Sequence, residues 1–85
     1  MTAYTYELYP NDSHKSFYGK AKVRVDTDGT ETLLSYGTEI IRKYKDGGLY
    51  PLWNDWSATT GRHIKSFCGL NKAAYFKLYK EMFDY

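Results

Sequence analysis

Phe17-Tyr18-Gly19-Lys20-Ala21-Lys22-Val23-Arg24-Val25 is the stretch that decides the fold. Phe17, Gly19, Ala21, Val23 and Val25 are apolar or small, and Tyr18, Lys20, Lys22 and Arg24 alternate with them. A period of two means a strand with one buried and one solvated face. Gly19 marks a bulge or a close approach. Asp28-Gly29 follows and is read as a two-residue type I′ hairpin, which needs positive φ at both central positions. The return strand is expected over residues 30–36, and Gly37 permits a tight turn or a sharp bend. Residues 38–44 form the next strand, with Ile40 and Ile41 on opposite faces. Asp46-Gly47-Gly48 turns the chain into a strand over 49–53. Upstream, residues 4–9 are rich in Tyr and Thr and suit a strand, and 10–15 read as a loop.

From Ser57 the period changes. Ser57 and Thr59 can both cap a helix, and Ile64, Phe67 and Cys68 recur at helical spacing. Gly69 ends that helix, and Asn71 caps a second whose apolar face is Tyr75, Leu78, Tyr79 and Met82, widened by Phe76 and Phe83. Ile64, Phe67, Tyr75, Leu78 and Met82 are expected against the sheet face of Val23 and Val25. Strands first and helices after define an α+β fold. The expected architecture is an antiparallel meander of four to five strands followed by two C-terminal helices packed on one face. It forms a single domain over 1–85, with sheet in 1–56 and helix in 57–85.

Eighty-five residues bury only about 60–65 % of the unfolded surface, so a few large side chains must build the core. Sixteen aromatic residues can do this, but ten are tyrosines, whose hydroxyls need partners when buried. Several tyrosines are therefore expected at the surface, where Tyr is a good contact residue. The single cysteine, Cys68, excludes an internal disulfide and fits a reducing compartment. No apolar run reaches membrane-spanning length, and the N-terminus lacks the pattern of a signal peptide. The chain reads as cytoplasmic.

Charge is unevenly spread. Between Ser57 and Lys80 there is no Asp or Glu, while Arg62, Lys65, Lys72, Lys77 and Lys80 all fall there. Lys20, Lys22 and Arg24 form a second basic stripe. Exposed Lys and Arg are ordinary, so a solvated face is the plain reading. The functional alternative is a nucleic-acid surface on the basic faces of the second strand and first helix. There Arg62, His63 and Lys65 would lie on the helix's polar side, and Tyr18 would stack on a base. A net charge of +2 is small for that purpose and favours a protein partner. Trp56 would then be a contact residue, unless it packs in the core.

No catalytic set, metal site or cofactor is expected, and the chain is not read as an enzyme. His63 and Cys68 are offset by about 140° on a helix and cannot pair. His14, His63 and Cys68 lack metal-site spacing. Asp26-Thr27-Asp28-Gly29 opens like a calcium loop, but Gly37 stands where its closing Glu must be.

Five strings resemble a family of small domains from phages and mobile elements of Gram-positive bacteria. They are Ser16-Phe17-Tyr18-Gly19-Lys20-Ala21, Ser35-Tyr36-Gly37-Thr38-Glu39-Ile40, Leu52-Trp53, Trp56-Ser57-Ala58-Thr59-Thr60, and Arg62-His63-Ile64 with Phe67. The resemblance spans about residues 16–68. It brings no activity or site residues, only an origin: a phage or prophage accessory protein working in the host cytoplasm. Proteins of this size and origin are often inhibitors of host defence, anti-CRISPR proteins among them. The partner so implied is a host protein, for instance in a nucleic-acid-handling defence complex.

Overall fold

The computed structural model describes residues 3–9, 17 and 19–83. Five strands precede two helices: β1 (Tyr4–Glu7), β2 (Ala21–Val25), β3 (Glu31–Ser35), β4 (Thr38–Lys43), β5 (Leu49–Pro51), α1 (Ala58–Cys68) and α2 (Lys72–Phe83). The sheet order is β1-β2-β3-β4-β5, with every neighbouring pair antiparallel. The α+β meander with helices on one face is the fold expected from the strand and helix periods. The loop read over 10–15 lies outside the described residues.

The register puts Val23 opposite Leu33, and Leu33 opposite Ile41. These three form the core with Ile40, Ile64, Phe67 and Tyr75. Leu78 and Val25 pack partly buried against it, whereas Met82 is only half-buried and lies outside this cluster. Ile40 and Ile41 do not point to opposite faces. A bulge between Leu33 and Leu34 gives β4 an extra residue there, and both isoleucines enter the core.

The turns differ from expectation in an instructive way. Asp28 has no positive φ, so Asp28-Gly29 is not a type I′ turn. The Gly29 N–H donates to the Asp26 carbonyl at 3.0 Å, and Gly29 alone is left-handed, at φ 91°. This is a three-residue loop with a glycine bulge. The two-residue turn with consecutive left-handed residues lies instead at Tyr36 (φ 52°) and Gly37 (φ 83°), between the paired Ser35 and Thr38. Gly19 is also left-handed, in a turn closed by the Lys20 N–H on the Phe17 carbonyl, so β2 begins only at Ala21.

Ser57 caps α1, its hydroxyl accepting the Thr60 N–H at 3.1 Å. Gly69 closes the helix in the left-handed region. The Asn71 side chain accepts the Ala74 N–H at the start of α2. Gly61, inside α1, has a packing reason. A methyl group there would meet Trp56 Cζ2 and, at 2.7 Å, Cε2, so the indole lies directly on the glycine. The Tyr75 hydroxyl ties α2 to the sheet. It donates to the Trp53 carbonyl at 2.6 Å, with the Ile40 carbonyl oxygen 3.2 Å away, and accepts the Trp53 N–H at 3.3 Å. Burial pushes its pKa up to about 12.

Candidate functional site

Because Val23 faces the helices, its neighbours Lys22 and Arg24 face the other side of the sheet. Arg62 and Lys65 are exposed on α1, which covers the Val23 side. The two basic stripes therefore lie on opposite faces of the sheet and do not form one continuous patch. Tyr18 lies outside the described residues. Trp56 is half-buried against Gly61, Tyr75 and Phe76.

His63 is not on the polar side of α1. It is 1 % exposed, because it shares the inward stripe with Thr60 and Phe67, at the helical spacing of three to four residues. The Ser35 hydroxyl lies 2.9 Å from His63 Nδ1 and 2.9 Å from Thr60 Oγ1. Burial, then the nearby Arg62 charge, lowers the His63 pKa and keeps the ring neutral at pH 7. A serine hydroxyl on an imidazole is a nucleophile pair only when substrate can reach it. Here Ser35 is buried, and the third group is a hydroxyl rather than a carboxylate. The arrangement fastens α1 to the end of β3. Cys68 is half-buried, its thiol donates to the Ile64 carbonyl, and burial raises its pKa, so it is a poor nucleophile.

Rings and cations run from this seam round the end of the sheet. Arg62 lies 5.6 Å from the Phe17 ring, and Phe17 stands edge-on to His63 at 4.4 Å. His63 is 6.0 Å from the Tyr36 ring, and the Lys20 ammonium lies 5.5 Å from that same ring. Tyr36 is 58 % exposed. Its left-handed backbone costs about 1–2 kcal/mol that Gly would not. On the side of the sheet away from α1 and α2, Gly19, Lys20, Lys22, Leu34, Tyr36 and Gly37 line a shallow groove of about 340 Å³.

Elsewhere on that face the ion pairs centre on Glu39 and Arg24. Arg24 pairs with Glu39 at 2.9 Å and with Asp26 at 3.7 Å, and Arg42 reaches Glu39 at 3.4 Å. Lys20 and Lys22 have no ion pair with a described residue. Thr32 Oγ1 and Arg42 Nε are buried without a partner in the middle of the face. A second exposed feature is β1. Its outer edge pairs with no strand among the described residues, and Tyr4 and Tyr6 are 62 % and 42 % exposed.

Residue pattern alone does not single out Tyr4, Tyr6 or Tyr36. Alternation can place the first two on one face of a strand, but only the sheet order makes that strand an edge. Tyr36 before Gly37 is a turn signal whose meaning depends on Lys20 and His63.

A family model matches residues 6–84, and the chain belongs to that family, a family of unknown function (DUF8033). Comparison with curated proteins and with solved structures finds no match in either. Among the described residues no helix is long and apolar enough to cross a membrane, and no three His, Cys, Asp or Glu side chains group to hold a metal ion.

Proposed function

We propose that this chain is a non-enzymatic accessory protein of phage type that binds a host protein and inhibits a host defence system, in the manner of anti-CRISPR proteins. The observation that carries the binding reading is the outer edge of β1, unpaired among the described residues, with its exposed tyrosines. The Leu8 N–H donates to Ala21 across the β1–β2 pair. By alternation, Tyr4 and Tyr6 also bond inward, and the amides and carbonyls of Thr5 and Glu7 face outward. An open edge of this kind accepts a strand from a partner, and tyrosines beside it supply contact area. The anti-defence role rests on chain size and on the phage resemblance, by analogy.

The test is capture from host lysate with mass spectrometry, comparing the native chain with Thr5→Pro and with Tyr4→Ser/Tyr6→Ser. Proline is tolerated on an edge strand whose N–H faces solvent, so Thr5→Pro should keep the melting temperature while blocking strand addition. We expect the native chain to retain one nucleic-acid-handling host protein and both variants to lose it. Equal capture by folded variants would defeat the edge reading.

A further inference from the structure

We infer that the groove beside Tyr36 binds a nucleotide unit of a single strand, with the phosphodiester on Lys20 and Lys22 and the base on the Tyr36 ring. Three observations converge there. The first is shape. The groove is shallow, about 340 Å³, at the small end of ligand clefts, and α1 and α2 both pack on the other side of the sheet. Gly19 and Gly37 form part of its wall, and a side chain added at Gly37 would meet nothing within 4 Å, so the mouth is open.

The second is charge. Glu39 is held by Arg24 and Arg42, Asp26 by Arg24, and Glu31 by Lys43. Lys20 and Lys22 are left without an acid partner among the described residues. Glu7 stands across the strands from Lys22, and its Oε1 would lie 3.5 Å from a methyl group on Gly19. Among the described residues, the two lining lysines and this neighbouring carboxylate sum to a single positive charge beside the groove. That matches a phosphodiester better than the dianion of a terminal phosphate.

The third is the ring itself. Tyr36 keeps a left-handed backbone that Asn or Gly would adopt more readily, yet it is largely exposed. Strain retained at an exposed residue directs attention to what its side chain presents. Lys20 and His63 hold the ring in place at the end of the groove, and Leu34 lies among the lining residues. A basic track beside an aromatic face is how single strands are held without sequence preference. The residues that line the groove all lie outside β1, which touches it only through Glu7, so Thr5→Pro should leave it intact.

The experiment is fluorescence anisotropy with a labelled oligo-dT of about ten nucleotides, repeated at several salt concentrations. A parallel NMR titration uses the mononucleotide dTMP. Lys20→Ala/Lys22→Ala should weaken oligonucleotide binding about tenfold or more and flatten the salt slope by about 0.7 for each phosphate no longer neutralised. Tyr36→Asn suits the left-handed turn, so it should keep the melting temperature while weakening binding about tenfold, whereas Tyr36→Phe should bind like the native chain. Oligonucleotide binding with no dTMP response assigns the groove to strands, and a dTMP response at the same residues extends it to free nucleotides. No anisotropy change up to about 1 mM protein would overturn the inference. So would native affinity in both loss variants, or an equal loss in Arg62→Ala/Lys65→Ala on the opposite face.

Discussion

The two ends of the sheet turn the chain by different means. At one end the loops after β2 and β4 are near copies. Gly29 and Gly47 are left-handed at φ 91° and 92°, and their N–H groups donate to the carbonyls of Asp26 and Tyr44 at 3.0 and 2.9 Å. Asp28 and Asp46 accept the amides of Thr30 and Gly48 at 2.9 and 2.8 Å. Every partner lies within five residues. At the other end, the Tyr36 N–H donates to the Lys20 carbonyl at 2.8 Å, and the neighbouring Ser35 is tied to Thr60 and His63. The first end holds itself. The second is held by the rest of the molecule, and it is also where backbone strain gathers, beside two lysines that have no acid partner among the described residues.

The largest expected effect breaks the second end. His63→Ala should cost about 3 kcal/mol in urea denaturation, since it leaves a cavity and removes a partner from the buried Ser35 hydroxyl. A loss below about 1 kcal/mol would mean that the seam is incidental. Gly61→Ala comes next. Helix propensity alone favours alanine by about 1 kcal/mol, but displacing Trp56 should reverse the sign and leave a net loss of about 1–2 kcal/mol. A stabilised variant would show that the indole moves away freely. At the self-contained end, Gly47→Ala should cost only the left-handed strain of about 1 kcal/mol, because nothing lies within 4 Å of the added methyl. Thermal melting measures it, and the cost should add to that of His63→Ala.

The smallest effect separates the ends by pH. Folding lowers the His63 pKa, so on acidification the unfolded chain takes up a proton before the folded one does. The stability is complete above the unfolded value of 6.5 and declines as pH falls through the lower folded value. The Thr30 amide, then the Thr30 side chain, lowers the Asp28 pKa, so its contribution is lost only below the unfolded 3.8. Denaturation at about pH 7 and pH 5 should therefore differ for the native chain, with a smaller difference in His63→Gln.

The contrast between the ends also marks what could be read from residues alone. Asp28-Gly29 and Asp46-Gly47 announce turns, and alternation over Ala21–Val25 announces a two-faced strand, because both signals are local. Even there, the turn type at Asp28-Gly29 differs from the expected one, since a loop one residue longer closes the same strands. The burial of His63 is less legible. A histidine flanked by Arg62 and Lys65 looks polar until Ser35 and Thr60 arrive from elsewhere to satisfy it. Ile40 follows the same logic, because alternation fails at a bulge that only the β3–β4 register reveals. The candidate groove is half visible. Lys20 and Lys22 stand out by charge, while Tyr36 needs the third dimension. Ser35, Thr60 and His63 fasten α1 to the sheet, and Trp56 packs on Gly61 and against Tyr75 and Phe76, so these residues have packing roles in the fold.

The strand order of the sheet has a consequence for how the chain is made. Each strand pairs only with its neighbours in sequence, so each hairpin can close as soon as it leaves the ribosome. Only the helices must reach far back, Tyr75 to Ile40 across 35 residues. Helix docking should therefore be the late, slow step of folding. Trp53 and Trp56, both beside Tyr75, sit where their emission would report it.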